Sequence, residues 1–216
     1  MNARTLLLST LIAFTGVHAQ DDSKINTLFG TDKDMANGGW GAPSVHYTKV
    51  MGQDALLVGL RGGWLIDHQV TLGIAGFGLV TDVPNAAYDT HRIEQGHDVD
   101  LPSQFRMGYG GLFIEPILAH RSAVHVTLPV IIGAGGCGYQ LYGGLPRDFD
   151  PYTYSDDAQA FFVIEPGVEL ELNLIPLVRL GVGASYRYTS DITLPGTPSD
   201  ALRGINAGVT IKVGKF

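Results

Sequence analysis

The sequence has one cysteine, Cys137, and beyond its first nineteen residues it has no apolar run near the ~20 residues a membrane-spanning helix needs. The first scarcity excludes an internal disulfide, and the second excludes insertion as a helix. Charge is also sparse, at 16% of residues, and positive charge is the scarcer sign, with 14 Lys and Arg against 21 Asp and Glu. Such an acidic chain has no electrostatic basis for holding nucleic acid. What is plentiful is apolar or small: 45% of residues are hydrophobic and 29 of the 216 are glycine. That excess implies that something other than water meets part of the surface.

The chain opens with Arg4, an apolar stretch from Leu6 to Phe14, and Val17-His18-Ala19 before Gln20. A basic start, a short apolar core and a small-x-small site predict a cleaved signal peptide over residues 1–19. Without Arg4, 13 basic residues face 21 acidic ones, a net charge of −8 with His neutral. Residues 20–36 carry no period and read as a short polar lead-in to a single domain over 37–216.

From there the dominant signal is two-residue alternation. Leu56, Val58, Leu60, Gly62, Trp64 and Ile66 share one parity, with Arg61 on the other; Phe162, Ile164, Val168, Leu170 and Leu172 stand against Glu165, Glu169 and Glu171. Successive strand side chains point to opposite faces, so one face is almost free of charge. The pattern predicts eight strands: 40–51, 56–66, 70–80, 104–118, 124–132, 162–172, 178–188 and 205–216. In the fourth, the apolar parity changes from Phe105, Met107 and Tyr109 to Leu112, Ile114 and Leu118, which predicts a β-bulge at Gly110-Gly111. Pro116, Pro129 and Pro166 fall inside strands, where a missing N–H calls for a bulge or a strand end. Phe113-Ile114-Glu115-Pro116 recurs as Val163-Ile164-Glu165-Pro166, as two hairpins solving one packing problem would.

About eight strands of this length suit an antiparallel up-and-down transmembrane β-barrel, an all-β fold. The connections after strands two, four and six are short, whereas residues 81–103, 135–158 and 189–201 form long polar loops; short periplasmic turns and long extracellular loops follow that scheme. Trp40 and Trp64 fall at the inner strand ends, and Phe162, Tyr186 and Tyr188 at the outer ends, as two aromatic girdles would. Strand count, loop alternation and the terminal Phe216 together resemble the small eight-stranded outer-membrane barrels of Gram-negative bacteria, the OmpA transmembrane domain and OmpX type. The resemblance covers nearly all of the mature chain. It implies a monomer in outer-membrane lipid, with Phe216 as the aromatic that the barrel assembly machinery reads. The usual signal keeps apolar residues in phase with that aromatic, and here Val209, Ile211 and Val213 lie on the opposite parity.

The candidate site follows from the other parity. Arg61, Glu115, Glu165, Glu169, Arg179 and Arg187 would project into an interior only wide enough to be filled by side chains, where charges must pair. A structural plug is the first reading and a narrow path for small solutes the second. Periodicity does not say which face is inside, so a secreted lipocalin-like barrel with an apolar cavity is a third. His125 and Thr127 are similar to the His and hydroxyl pair of outer-membrane lipid A deacylases, but their parity faces inward. His91, Glu94, His97 and Asp98 crowd one loop without an established metal spacing. Tyr139, Tyr142, Phe149, Tyr152 and Tyr154, beside Arg147, Asp148 and Asp150, either bind an extracellular ligand or protein or pack over the mouth. No catalytic, cofactor or metal residues are assigned.

Overall fold

The computed structural model describes residues 37–142 and 152–216. The expected signal peptide, the polar lead-in and Arg147, Asp148, Phe149 and Asp150 lie outside the described residues, as do the side chains of Tyr142, Tyr152 and Tyr154. Strands β1 (Asn37–Val50), β2 (Gln53–Ile66) and β3 (Val70–Leu79) precede a helix, α1 (Ala86–Glu94). After it come β4 (Gln104–Leu118), β5 (Val124–Thr127), β6 (Val130–Tyr142), β7 (Tyr152–Ile175), β8 (Val178–Thr189) and β9 (Gly204–Lys215). All pairings are antiparallel, and β9 pairs back onto β1, so the sheet closes on itself. Because β5 and β6 both lie between β4 and β7, they are two halves of one wall member, and the ring has eight.

Local chemistry sets the turns. Met51 (φ 50°) and Gly52 (φ 76°) join β1 to β2 with both central residues left-handed, which suits the twist of a two-residue hairpin. At the other end Asp67 (φ 49°) and His68 (φ 54°) reverse the chain, Ala119 (φ 57°) starts the β4–β5 turn, and Pro176-Leu177 ends β7. Both described termini lie at this end, with the short turns. The opposite end carries the loop containing α1 and the loop after β8.

Burial alternates as the sequence predicts. Leu60, Ile74, Leu112 and Ile205 are about seven-tenths exposed, whereas Arg61, Glu115, Glu165 and Arg187 are buried. The apolar parity therefore faces outward and the charged one inward, which overturns the lipocalin-like alternative. A wall of this kind is stable only where lipid replaces water on its outside.

Four expectations about the strands change. No bulge exists at Gly110-Gly111: β4 keeps continuous register with β3 and β6 through that point. Odd positions point inward along all of β4, so Phe105, Met107 and Tyr109 are apolar residues of the interior. The irregularities fall instead at Gly138/Gln140 and Asn173/Ile175. The long loop expected over 135–158 is shorter than that, because paired strand extends to Tyr142 and resumes at Tyr152. The loop expected over 81–103 contains α1, capped by Asn85, whose side chain accepts from the N–H groups of Ala87 and Tyr88.

The prolines lie together. Pro116, Pro129 and Pro166 occupy neighbouring wall members, and Pro129 separates β5 from β6. Each of the first two still accepts through its carbonyl, from Leu128 N at 3.0 Å and Gly167 N at 2.8 Å. What is lost is local ladder bonding, not closure.

Candidate functional site: the ionic interior and the outer cap

The inner half of the barrel is filled by ions that arrive from strands far apart in sequence. Lys212 on β9 donates from Nζ to Glu115 Oε1 on β4 at 2.6 Å and to Glu171 Oε1 on β7, with Glu169 Oε1 at 3.7 Å. Arg61 on β2 donates to Glu169 Oε2 at 2.5 Å and to Thr210 Oγ1 at 2.7 Å, and lies 3.8 Å from Glu115 Oε2. Below them the His125 ring meets Glu171 Oε2 at 2.9 Å, and Arg179 stands 3.6 Å from the same oxygen. The Phe216 ring closes this end, 3.9 Å from the Arg179 guanidinium carbon.

A second cluster sits nearer the outer end. Glu165 accepts from Tyr109 Oη at 2.5 Å, Ser185 Oγ at 2.6 Å and Asn206 Nδ2 at 2.9 Å. Arg187 donates to Asn206 Oδ1 at 3.2 Å and to the Leu202 carbonyl at 2.6 Å. Counted together among the described residues, the buried charges are Glu115, Glu165, Glu169 and Glu171 against Arg61, Arg179, Arg187 and Lys212, so they cancel when His is neutral. Balance matters because an unpaired buried ion costs several kcal/mol, whereas a paired and hydrogen-bonded one is tolerated.

All six interior residues singled out from the sequence are buried. Glu171, Lys212 and His125 belong to the same network although they were not named with it. Their inward parity was the available signal, but Lys212 sits on β9, where the phase of alternation is opposite to that of β2–β8. Between the clusters lies a cavity of about 30 Å³ bordered by His46, Arg61, Glu165, Glu169 and Asn206. It has room for a water or two, and His46 Nδ1, Arg61 Nε and Glu169 Oε1 have no protein hydrogen-bond partner.

The aromatic expectation is corrected at one position. Trp40 is buried: Nε1 donates to Thr71 Oγ1 at 3.1 Å, Phe113 packs edge-on at 5.8 Å, and the Lys212 ammonium lies 4.4 Å from the ring centroid. It shares the inward parity of β1, opposite to Val45 and Tyr47, and serves the lysine as a cation–π wall. Trp64, Phe162, Tyr186 and Tyr188 are each about half exposed on the outer surface.

The upper interior is aromatic. Phe77, Phe105, Tyr109, Tyr139 and Phe161 fill it, and inward Gly59 and Gly135 leave room that a Cβ would deny to the Phe77 and Phe161 rings. The outer loops then close the mouth. Tyr88 of α1 stacks on Tyr139 at 3.6 Å and 6°, while Asn85 Nδ2 donates to Tyr139 Oη at 2.5 Å and to Gly196 O at 2.9 Å. Gly196 (φ 61°) touches the start of α1 so closely that a side chain would strike its backbone. Ile192, Leu194, Ala201 and Leu202 are buried beneath.

His125 and Thr127 point inward, away from lipid. His91, Glu94, His97 and Asp98 do not gather at one point. Among the described residues, the acids that come within reach of one ion are Glu115, Glu169 and Glu171, and Lys212 already bridges them.

Eight antiparallel staves, an apolar outer belt and a neutralised ionic core define a small transmembrane β-barrel. No protein-family model matches the sequence, and no curated protein matches it. Among solved structures, Neisserial surface protein A (NspA) is similar, with a TM-score of 0.52 and 13% identity over 83% of this chain and 97% of that one. Ail, the attachment invasion locus protein of Yersinia pestis, aligns over 82% of this chain and 95% of its own at 12% identity, with a TM-score of 0.36. The chain thus has the fold of the small eight-stranded outer-membrane barrels of the OmpA and OmpX type.

Proposed function

We propose that this chain is a non-enzymatic integral protein of the Gram-negative outer membrane, exported by a signal peptide over residues 1–19 and working as a monomeric scaffold. Its outer loops serve surface interaction or envelope integrity. The observation that carries the reading is a set of four buried carboxylates and four buried cations, three of each ion-paired and Glu165 and Arg187 joined through Asn206, inside a wall whose outside is apolar. Side chains tied across the lumen make a plug, because moving any one of them strands a charge. The aromatic layer and the loop cap add a second seal.

Trp64 at the inner rim and Phe162, Tyr186 and Tyr188 at the outer end are the girdle in this reading. Phe216 stands on the inward parity of β9 beside Arg179, out of phase with the lipid-facing Val209, Ile211 and Val213. Partners at the loops would be extracellular molecules, presented with the rigid cap.

Conductance of the refolded chain in a planar bilayer tests the plug. The expected result is a flat baseline for the parent and for Glu165→Ala. Discrete steps in the parent that vanish in Arg179→Ala or Glu165→Ala would instead assign the narrow solute path.

A further inference from the structure

The turns of the inner rim are not alike. The β2–β3 turn presents Asp67 and His68, and the β4–β5 turn presents His120, Arg121 and Ser122. Such side chains suit water. The turn from β7 to β8 instead reads Leu174-Ile175-Pro176-Leu177, and Leu174, Ile175 and Leu177 are each more than half exposed. Three large aliphatic side chains on one turn form an apolar face that is unfavourable in water and calls for a cover.

Continuity with the outer belt says what covers it. Leu170 on β7 and Val182 on β8 are half-exposed on the lipid-facing parity, and Leu174 keeps that parity. Ile175 departs from it. As an odd residue of β7 it belongs on the lumen side, but the register irregularity between Asn173 and Ile175 breaks the alternation there, as a bulge that re-aims a side chain does. The backbone of the turn also suits lipid, which penalises loose polar groups. Pro176 has no N–H, and the Leu177 carbonyl accepts from Gly214 N at 3.0 Å.

Backbone bonds also set a cation on each flank. The bond from Gly214 joins the turn to the end of β9, next to Lys215. On the other side Asn173 N donates to Ala123 O at 2.9 Å and Asn173 Nδ2 to Ser122 O at 3.2 Å, which joins it to the turn that carries Arg121. Lys215 and Arg121 are both exposed, and neither has an ion-pair partner among the described residues. We propose that the β7–β8 turn is a lipid anchor: its apolar tip enters the inner leaflet, and Lys215 and Arg121 extend to phospholipid phosphates on either side. The anchor rests on the membrane wall proposed above. It makes the inner rim uneven, with this side sunk in hydrocarbon and the turns of His68 and His120 in water.

The test places a nitroxide on single cysteines of the refolded full chain, with Cys137→Ser removing the native thiol, in vesicles of phosphatidylethanolamine and phosphatidylglycerol. Leu177→Cys reads the tip, Val182→Cys the belt and His120→Cys the wet rim. Gel mobility before and after boiling checks that each is folded. Collision rates are compared for oxygen, which partitions into lipid, and for a water-soluble nickel chelate. The Leu177 label is expected to resemble the Val182 label, with a nickel rate several-fold below that at His120 and an oxygen rate several-fold above it. Arg121→Ser/Lys215→Ser should raise the nickel rate at Leu177, and an unchanged rate would overturn the headgroup contact. A Leu177 label as open to nickel as the His120 label, or closed to both reagents, would overturn the anchor while Val182 stays in lipid. A wet Val182 label would remove the wall itself and the anchor with it.

Discussion

Lys212 is where burial and charge are most tightly linked. Its ammonium stands among Glu115, Glu169 and Glu171 and over the Trp40 ring, with one-hundredth of the side chain exposed. Lys212→Met keeps the volume but leaves three carboxylates sharing only the Arg61 and Arg179 guanidinium groups. Loss of one partner from such a group costs about 3–5 kcal/mol, so the urea midpoint for unfolding from lipid should fall sharply. Adding Glu171→Gln to Lys212→Met removes one uncompensated charge and should recover part of the loss. A Lys212→Met chain as stable as the parent would mean that the network contributes nothing. Trp40 teaches the related lesson for reading aromatics: terminal placement suggested a girdle, whereas parity with Ala42, Ser44 and Thr48 sends it inward.

At the scale of the element, alternation carried most of the information. The boundaries of β4 match the expected strand, and those of β2, β3, β8 and β9 lie within three residues of it. The misread feature, a bulge in β4, arose because an interior is not obliged to be polar. Phe105, Met107 and Tyr109 are buried by packing among other rings, and composition alone cannot tell a lipid-facing phenylalanine from one in an aromatic core. Helix α1 was hidden for a different reason. It is nine residues long with one buried side chain, Tyr88, so no apolar stripe marks it.

Two substitutions test the elements. Ile74→Arg places a guanidinium on the lipid face of β3 and should cost about 2–4 kcal/mol in urea refolding into vesicles. The same change on a water-facing strand would be nearly silent, so a negligible loss would contradict the assignment of faces. Asn85→Ala removes the cap of α1 together with the bonds to Tyr139 and Gly196, a local loss of about 1–2 kcal/mol. Limited proteolysis should then cut residues 81–103 and 190–203 faster while the strands resist, and unchanged cleavage would show that the cap is held by stacking alone.

At the scale of the whole molecule, the ring of eight follows from strand count and from the alternation of short and long connections, both legible in the sequence. The inside-out question was not legible, since a period of two names faces without naming the interior. Closure through β1 and β9 answers it, placing Arg61, Glu115 and Lys212 in one lumen although they come from β2, β4 and β9. The cap likewise depends on contacts between distant loops, Asn85 with Gly196 and Tyr139 with Thr197, that no local pattern announces.

The central claim is that this wall holds itself closed in lipid. Cell fractionation combined with gel mobility before and after boiling tests it most directly. The structure predicts recovery with the outer membrane and a folded band that migrates differently until heated; recovery in the detergent-free soluble fraction, with one mobility throughout, would contradict it.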